Sequence, residues 1–525
     1  MGVAMIRANL VRQLEEVKCW DLLVIGGGAT GLGVAVEGAS RGYRTLLLER
    51  HDFGSGTSSR STKLIHGGVR YLQQGNISLV LEALHERGIL IRNAPHLVHN
   101  LSFVVPLYDW WEGPFYGIGL KLYDMLAGKL GMGPSQLLSR EETLRRIPTV
   151  EPAGLRGGVI YHDGQFDDAR LALALARTCA DLGGVPLNRM EVCGLLKGGG
   201  VVRGVAARDR VSGLDYEIEA RVVVNAAGPF CDAIRQLDEP GVSPLVAPSQ
   251  GVHLVLPREF LPGGSAIMVP HTDDGRVLFA VPWHERVIVG TTDTPVDRVA
   301  AEPRPLAAEL DFLLEHVARY LSRDPGKSDI LSVFAGLRPL VRGGEASHTA
   351  ALSRDHTLVV SSSGLVTITG GKWTTYRKMA EDTVTSAARL AGLDERPSRT
   401  ADLPIRGWLA EPNVDREWPM YGADAVALEE LCSVQPSLRQ PLHPRLSYRL
   451  AEVVWGVRNE WALSVEDVLS RRTRALILDA RAAMEAAPVV AALMAAELGR
   501  DEAWQEAEVA AFCALAEGYL PAGAA

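Results

Sequence analysis

At 525 residues, with 47% apolar and 22% charged side chains, the chain has the composition of a globular protein and is long enough for two or three separate cores. Its formal net charge of -9 gives no general attraction to nucleic acid, and its 6 cysteines (Cys19, Cys179, Cys193, Cys231, Cys432, Cys513) are scattered without a C-x-x-C pair or clustered His/Cys spacing, which argues for a reducing compartment and against a zinc or iron–sulfur site. Residues 1–20 interleave Arg7, Arg12, Glu15, Glu16 and Lys18 with apolar positions, unlike a signal peptide, and no later run reaches the roughly 18 apolar residues of a spanning helix; the expected location is cytosolic or on a membrane surface.

The first predicted unit is Asp21 to Gly33, DLLVIGGGATGLG. A buried strand, Leu22 to Ile25, runs into a glycine turn and a helix, and a second strand, Thr45 to Leu48, ends at Glu49. Gly26, Gly28 and Gly31 fit G-x-G-x-x-G, which gives a tight turn, close backbone approach to a pyrophosphate and close helix–sheet packing. Glu49 falls about 20 residues on, where a carboxylate accepts hydrogen bonds from ribose hydroxyls. The spacing predicts a dinucleotide site and leaves NAD and FAD equally open.

His51 to Lys63 is dense in small and polar residues and leads into Leu64-Ile65-His66-Gly67-Gly68-Val69-Arg70-Tyr71. Its N–H and hydroxyl donors suit a phosphate or a ring edge, and the Gly-Gly permits a flat ligand to approach. A helix is expected from about Ser78 to Ala94, stopped by Pro95. Residues 104–132 carry Tyr108, Trp110, Trp111, Phe115, Tyr116 and Tyr123, with Phe115, Ile118, Leu122, Met125 and Leu126 at helical spacing and Lys121 and Lys129 placed for headgroups. This pattern is equally that of a core helix and of a helix lying on a membrane.

From Gly158 the pattern predicts a short strand ending at an Asp163-Gly164 turn, then a helix from about Asp168 to Leu182 capped by Asp167. Further strands end in Arg221 to Asn225 and the small residues Ala226-Ala227-Gly228-Pro229. Residues 246–331 are mostly β, with Gly251 to Leu256 and a hairpin around His284-Glu285-Arg286. A strand from Leu365 to Thr369 then enters Gly370-Gly371-Lys372-Trp373-Thr374, a second glycine turn that aims a helix N-terminus at something electron-rich. Beyond about Leu390 the composition predicts a helical domain, with Ser464 and Asp467 as a capping box and a packed helical pair where Pro488 breaks the Ala-rich segment 482–498.

Taken in order, DLLVIGGGATGLG, TSSRSTKLIHGGVRYL, APHLV, DDARL, VNAAGP, VIVGTTDTP, GLRPL, LSRDH, GGKWTTYRKMAED and AEVVWGVRNEWALSVEDVLSRRTR resemble the FAD-dependent glycerol-3-phosphate dehydrogenases. Several blocks are general to flavoprotein oxidases; the pairing of KLIHGGVRYL with GGKWTTYRK is more specific. Thr30, Phe230 and Trp373 depart from the family's usual Asn, Trp and Leu.

The resemblance implies an α/β fold: a Rossmann-like FAD-binding domain of the glycine/D-amino-acid oxidase type, a β-rich substrate (cap) domain and a C-terminal helical domain. The expected divisions are 18–100, 158–245 and 332–390 for the FAD-binding parts, 101–157 for a cap or membrane-facing segment, 246–331 for the substrate domain and 391–525 for the helical domain. It implies oxidation of sn-glycerol 3-phosphate to dihydroxyacetone phosphate by hydride transfer to FAD, with electrons passed to a membrane quinone. A soluble oxidase using O2 and a non-catalytic FAD-binding protein are the competing readings. It also implies a cytoplasmic protein, peripheral on the inner face of the cell membrane at an anionic lipid surface, with a homodimer possible and neither nucleic acid nor metal bound.

For cofactor contacts the expected residues are Gly26, Gly28, Ala29, Thr30, Gly31, Glu49, Thr57, Ser58, Ser59, Ser61, Thr62, Lys63, Leu64, His66, Gly67, Gly68, Ala227, Gly228, Gly336, Gly370, Gly371, Lys372, Trp373 and Thr374. For the substrate phosphate they are Arg70, Arg338 and Arg354, because planar guanidinium groups match phosphate oxygens in pairs, with Tyr71 as an added donor. His253 is the first choice for the base and His66 the second, since an imidazole titrates near working pH. Lys372, with the helix behind it, is expected to stabilise negative charge on the reduced ring, and Arg338 also counts among the catalytic groups.

Overall fold

Leu22, Leu23, Val24 and Ile25 are an unbroken apolar run, which is stable as a strand only where both faces of the sheet are covered. A computed structural model describes residues 2–68, 76–110, 112–269, 272–273, 276–342, 356–411 and 417–521, with side chains throughout except at 2–6, 113–115 and 129. In it Trp20–Ile25 lies between two parallel neighbours, Thr45–Leu48 and Asp215–Asn225, with Val24 opposite both Leu47 and Val224. The sheet continues through Val185–Leu187 on one side and through Val366–Gly370 and the antiparallel His356–Val360 on the other. A hairpin of Met190–Gly198 and Val201–Asp209 extends along the first half of Asp215–Asn225. Helices Ala29–Ser40 and Tyr376–Leu390 pack closely on one another. A Cβ on Gly33 would come within 2.9 Å of the Tyr376 ring, so this contact needs glycine.

The second sheet runs in the order Thr294–Pro295, Val246–Pro257, Arg286–Gly290, Leu278–Trp283, Ala266–Val269, Val98–Leu107, Gly157–Phe166 and Leu64–Ile65, with Ser332–Val341 on Val246–Pro257 and Gln136–Ser139 on Gly157–Phe166. Two strands expected with the dinucleotide fold, Gly157–Phe166 and Ser332–Val341, therefore belong here. The first also runs straight through Asp163-Gly164 instead of turning. Gly164 serves close packing: a Cβ there would lie 2.8 Å from the Ile65 carbonyl oxygen on the paired strand.

Helix Ile77–Asn93 ends just before Pro95, and Asp168–Asp181 starts on Asp167, whose carboxylate accepts from the Arg170 N–H at 3.0 Å. In the C-terminal region the Ser464/Asp467 capping box forms. The segment predicted as a helical pair is one helix, Ala480–Leu498, with Pro488 inside it. Its Ala482, Ala483, Ala486, Ala487 and Ala491 face is fully packed, and that burial offsets the hydrogen bond the proline cannot donate. Buried ion pairs fasten this region to the rest: Asp52 with Arg471 and Arg472, Asp168 with Arg474 and Lys63, and Glu460 with Arg170. Among the described residues no helix is long and apolar enough to cross a membrane.

Candidate functional site

Between the two sheets lies a cleft of about 660 Å³. Its first wall is the glycine turn. Gly26 has φ +107°, and a Cβ there would sit 2.7 Å from the Ala226 carbonyl oxygen; a Cβ on Gly31 would sit 1.9 Å from the Gly26 carbonyl oxygen. The backbone thus comes as close as it can to the end of the next strand and leaves the N-terminus of helix Ala29–Ser40 facing the cleft. Glu49 closes the turn by accepting from the Gly27 N–H at 2.6 Å and the His51 N–H at 2.7 Å, and burial pushes its carboxyl above the usual range.

Strand register builds the second wall. Ser249 pairs with Arg338, Gly251 with Gly336, and His253 with Phe334, so the alternating residues Gly251, His253, Gly336 and Arg338 share the face that lines the cleft. Two glycines make room. A Cβ on Gly251 would lie 2.5 Å from Arg338 Nη2, and one on Gly290 would lie 2.0 Å from the His253 ring. Arg338 donates from Nη1 to Asp293 at 3.1 Å and from Nη2 to Thr291 Oγ1 at 3.1 Å and the Thr292 carbonyl at 2.9 Å. His253 Nε2 pairs with Thr62 Oγ1 at 2.9 Å, and its ring is buried. Burial first, then the Lys63 and Arg338 cations, hold its pKa well below the ordinary value. The imidazole therefore stays neutral at working pH instead of titrating there, which corrects the expectation.

The loop 57–68 joins the walls. Thr57 donates to the Leu337 carbonyl at 2.5 Å, Ser58 Oγ accepts from the Ala29 N–H at 2.8 Å, and the Ser58 carbonyl accepts from Trp373 Nε1 at 2.9 Å. The second glycine turn, Gly370 and Gly371 with φ +79° and +67°, presents Lys372 to the same cleft. A 3-10 turn, Trp373–Thr375, intervenes before helix Tyr376–Leu390 begins, later than the sequence suggests.

Of the expected residues, Gly26, Gly28, Ala29, Thr30, Glu49, Thr57, Ser58, Ser61, Thr62, Leu64, His66, Gly68, Ala227, Gly228, His253, Gly336, Arg338, Gly370, Gly371, Lys372, Trp373 and Thr374 line the cleft together. Gly31, Ser59, Lys63 and Gly67 stand behind the wall. Lys63 is fully buried, donating to Asp168 at 2.7 Å and the Ser59 carbonyl at 2.8 Å, and burial lowers its pKa to about 8. Arg70, Tyr71 and Arg354 lie outside the described residues. Sequence reasoning missed Thr291, Thr292 and Asp293, which position Arg338, although their stretch was conspicuous as VIVGTTDTP. It also missed Asp163 and Glu466, both on the cleft wall, for which no local signal exists. No group of side chains that would hold a metal ion occurs among the described residues.

The family model of the FAD dependent oxidoreductases matches residues 21–377, and that for the C-terminal domain of alpha-glycerophosphate oxidase matches residues 366–505. The mitochondrial glycerol-3-phosphate dehydrogenase of Mus musculus is 42% identical over 94% of this chain and 73% of its own length; that of Homo sapiens is 41% identical over 93% and 72%. The chain belongs to the FAD-dependent glycerol-3-phosphate dehydrogenases. Its fold superimposes on the glycerol-3-phosphate dehydrogenase from Bacillus halodurans, solved with FAD, with a TM-score of 0.81 and 30% identity over 100% of both chains. Glycine oxidase from Geobacillus kaustophilus shares the fold at a TM-score of 0.53 and 21% identity, over 74% of this chain and 99% of that one.

The walls of the dehydrogenase cleft fit this cofactor. Side chains at Gly26 or Gly31 would collide with the backbone at Ala226 or Gly26 and force the turn apart, and the helix N-terminus that this tight turn presents favours an anion such as a pyrophosphate. Glu49 keeps acceptor capacity beyond its two backbone bonds. The second glycine turn and the 57–68 loop supply the remainder of a site longer than a mononucleotide.

Proposed function

We propose that this chain oxidises sn-glycerol 3-phosphate to dihydroxyacetone phosphate in the cleft, with bound FAD supplying the hydride acceptor, and passes the electrons to a membrane quinone. The observation that carries this reading is the cross-strand placement of a fixed cation, Arg338, and a neutral imidazole, His253, on one cleft face. Arg338 is held by Asp293, Thr291 and the Thr292 carbonyl, so it meets an anionic substrate without reorganising. His253 retains an imidazole lone pair because burial keeps it neutral, and it accepts the proton of the C2 hydroxyl as the C–H bond breaks. Its lowered basicity makes proton loss concerted with hydride loss. His66 is the second candidate for this role; Arg70, Tyr71 and Arg354 are further candidates for the substrate phosphate on the sequence alone. In the same reading the loop His66–Gly68 would receive the flavin ring, and Lys372, which lines the same cleft, would stabilise the negative charge that the ring gains on reduction.

Delivery to a quinone needs a bilayer, and helix Glu112–Ala127 supports a peripheral attachment. Tyr116, Leu120, Tyr123 and Ala127 pack inward, while Trp110, Ile118, Met125 and Leu137 remain 78%, 73%, 71% and 64% exposed. An outward apolar face of this kind suits an interfacial helix on the cytoplasmic side of the membrane. Anaerobic mixing of the purified protein with glycerol 3-phosphate, followed by flavin absorbance, tests the reaction. Bleaching is expected, and an unchanged spectrum overturns the reading. Subsequent quinone reduction in lipid, without peroxide release, is the expected fate of the electrons.

A further inference from the structure

Tyr123, on the inward face of helix Glu112–Ala127, meets the cleft wall from behind through its hydroxyl. The phenol oxygen accepts from the Gly67 N–H at 2.9 Å and donates to Asp163 Oδ2 at 2.8 Å, and Asp163 is itself paired with Arg87. Tyr123, Arg87 and Asp163 are all nearly inaccessible to water, so none of these bonds is exchanged with solvent. A Cβ on Gly67 would lie 2.5 Å from this hydroxyl, which shows how closely the loop is drawn in. On its other tie the loop is held by the second glycine turn, where Thr374 Oγ1 donates to the His66 carbonyl at 3.4 Å. His66 and Gly68 line the cleft; Gly67 between them does not.

We propose that Tyr123 is a positioning residue: its hydroxyl, oriented by the Asp163 carboxylate, fixes the Gly67 amide and thereby sets His66 and Gly68 against the bound flavin ring. The direction of the relay is forced. A buried phenol stays protonated and donates its O–H to the carboxylate, so its oxygen accepts from the Gly67 N–H, with Arg87 Nη1 a longer donor at 3.4 Å. The same helix also lines the cleft directly through Tyr116, but among the described residues Tyr123 is its side chain that bonds the Gly67 amide. The proposal rests on the reading that His66–Gly68 receives the ring.

The test is Tyr123→Phe, which keeps the ring packed against Val80 and Leu84 and deletes only the hydroxyl. Reconstitution of the apoprotein with FAD is followed by fluorescence, and the absorption spectrum and midpoint potential of the bound flavin are recorded beside wild type. The expected result is FAD affinity lowered about tenfold and a displaced flavin spectrum, with the potential moved as well. Val80→Ala, in the same cluster but not against Gly67, serves as a packing control and should lower the melting temperature without moving spectrum or potential. If Tyr123→Phe lowers only the melting temperature, as Val80→Ala does, the residue is structural and the proposal is overturned. Should Tyr123→Phe not fold, hydrogen exchange of the Gly67 amide in the wild-type holoprotein decides: strong protection is expected of an amide bonded to a buried phenol, and free exchange overturns the proposal. These readouts need no substrate, so failure of glycerol 3-phosphate to bleach the wild-type flavin would defeat the proposed reaction and leave this result standing.

Discussion

The imidazole of His253 lies flat against the ring of Phe334, with centroids 4.8 Å apart and planes 12° from parallel, a contact set by the register that makes the two residues cross-strand partners. The Lys63 ammonium lies over the same Phe334 ring, 5.1 Å from its centroid. One aromatic side chain is therefore shared by the proposed base and a buried cation that Asp168 holds in place.

That arrangement fixes a pH dependence. Burial, Lys63 and Arg338 all disfavour imidazolium, so the folded pKa of His253 lies well below 6.5. The rate of flavin reduction should stay flat on acidifying through pH 6.5. In Lys63→Met one opposing cation is gone, the pKa rises toward its ordinary value, and an acid limb should enter the profile at higher pH than in wild type. The same shift links to stability. The unfolded chain takes up this proton near pH 6.5 and the folded chain only well below it, so the contribution is complete above pH 6.5 and falls by about 1.4 kcal/mol per unit of further acidification. Urea unfolding at two pH values should show a smaller acid loss in His253→Gln than in wild type.

Removing Arg338 takes away a charge-assisted contact and leaves Asp293 facing the cleft without that guanidinium. A hydrogen bond to a charged group is worth about 1.5–3 kcal/mol, so Arg338→Ala should lower kcat/KM for glycerol 3-phosphate about 10- to 100-fold, mostly through KM. Arg338→Lys keeps the charge but cannot satisfy Asp293, Thr291 and Thr292 together, and should recover only part of the loss. Steady-state kinetics with a soluble dye as acceptor measures both; wild-type KM in the alanine variant would remove Arg338 from the phosphate subsite.

How much of this site could be read from sequence follows from how local each feature is. Gly26, Gly28, Gly31 and Glu49 were legible because strand, turn, helix and acid occur within one short stretch, and the Ser464/Asp467 cap was legible for the same reason. The neighbourhood of His253 and Arg338 was not, since it depends on register between strands far apart in the chain. Asp163-Gly164 has the composition of a turn, yet the pairing of Leu64–Ile65 with Gly157–Phe166 draws it into a strand. Lys63 is expected among the cofactor contacts beside its serines and threonines. Its backbone takes φ +63°, and its side chain is buried with Asp168 and Arg474, residues that no spacing rule connects to it.

Gly31 offers a sharp test of the cofactor turn. An added methyl would meet the Gly26 carbonyl oxygen at 1.9 Å, and both partners are backbone, so neither can step aside as a flexible side chain would. Gly31→Ala should be purified with little or no flavin and should melt well below wild type. A variant that retains stoichiometric FAD, by absorbance after denaturation, would show that the turn relaxes more readily than its packing indicates.

The apolar face of helix Glu112–Ala127 is exposed where the opposite face carries Tyr123, so membrane attachment and site geometry can be separated by substitution. Ile118 and Met125 are largely exposed, and aspartate at either should leave folding nearly unchanged, since surface changes usually fall within about 0.5 kcal/mol. On a lipid surface the same change removes buried apolar area and adds repulsion from anionic headgroups. Ile118→Asp/Met125→Asp should therefore keep wild-type flavin reduction by glycerol 3-phosphate in solution, lose co-sedimentation with phosphatidylglycerol-containing vesicles, and reduce a lipid-dissolved quinone more slowly. Undiminished vesicle binding by a folded double variant would assign this face to something other than lipid.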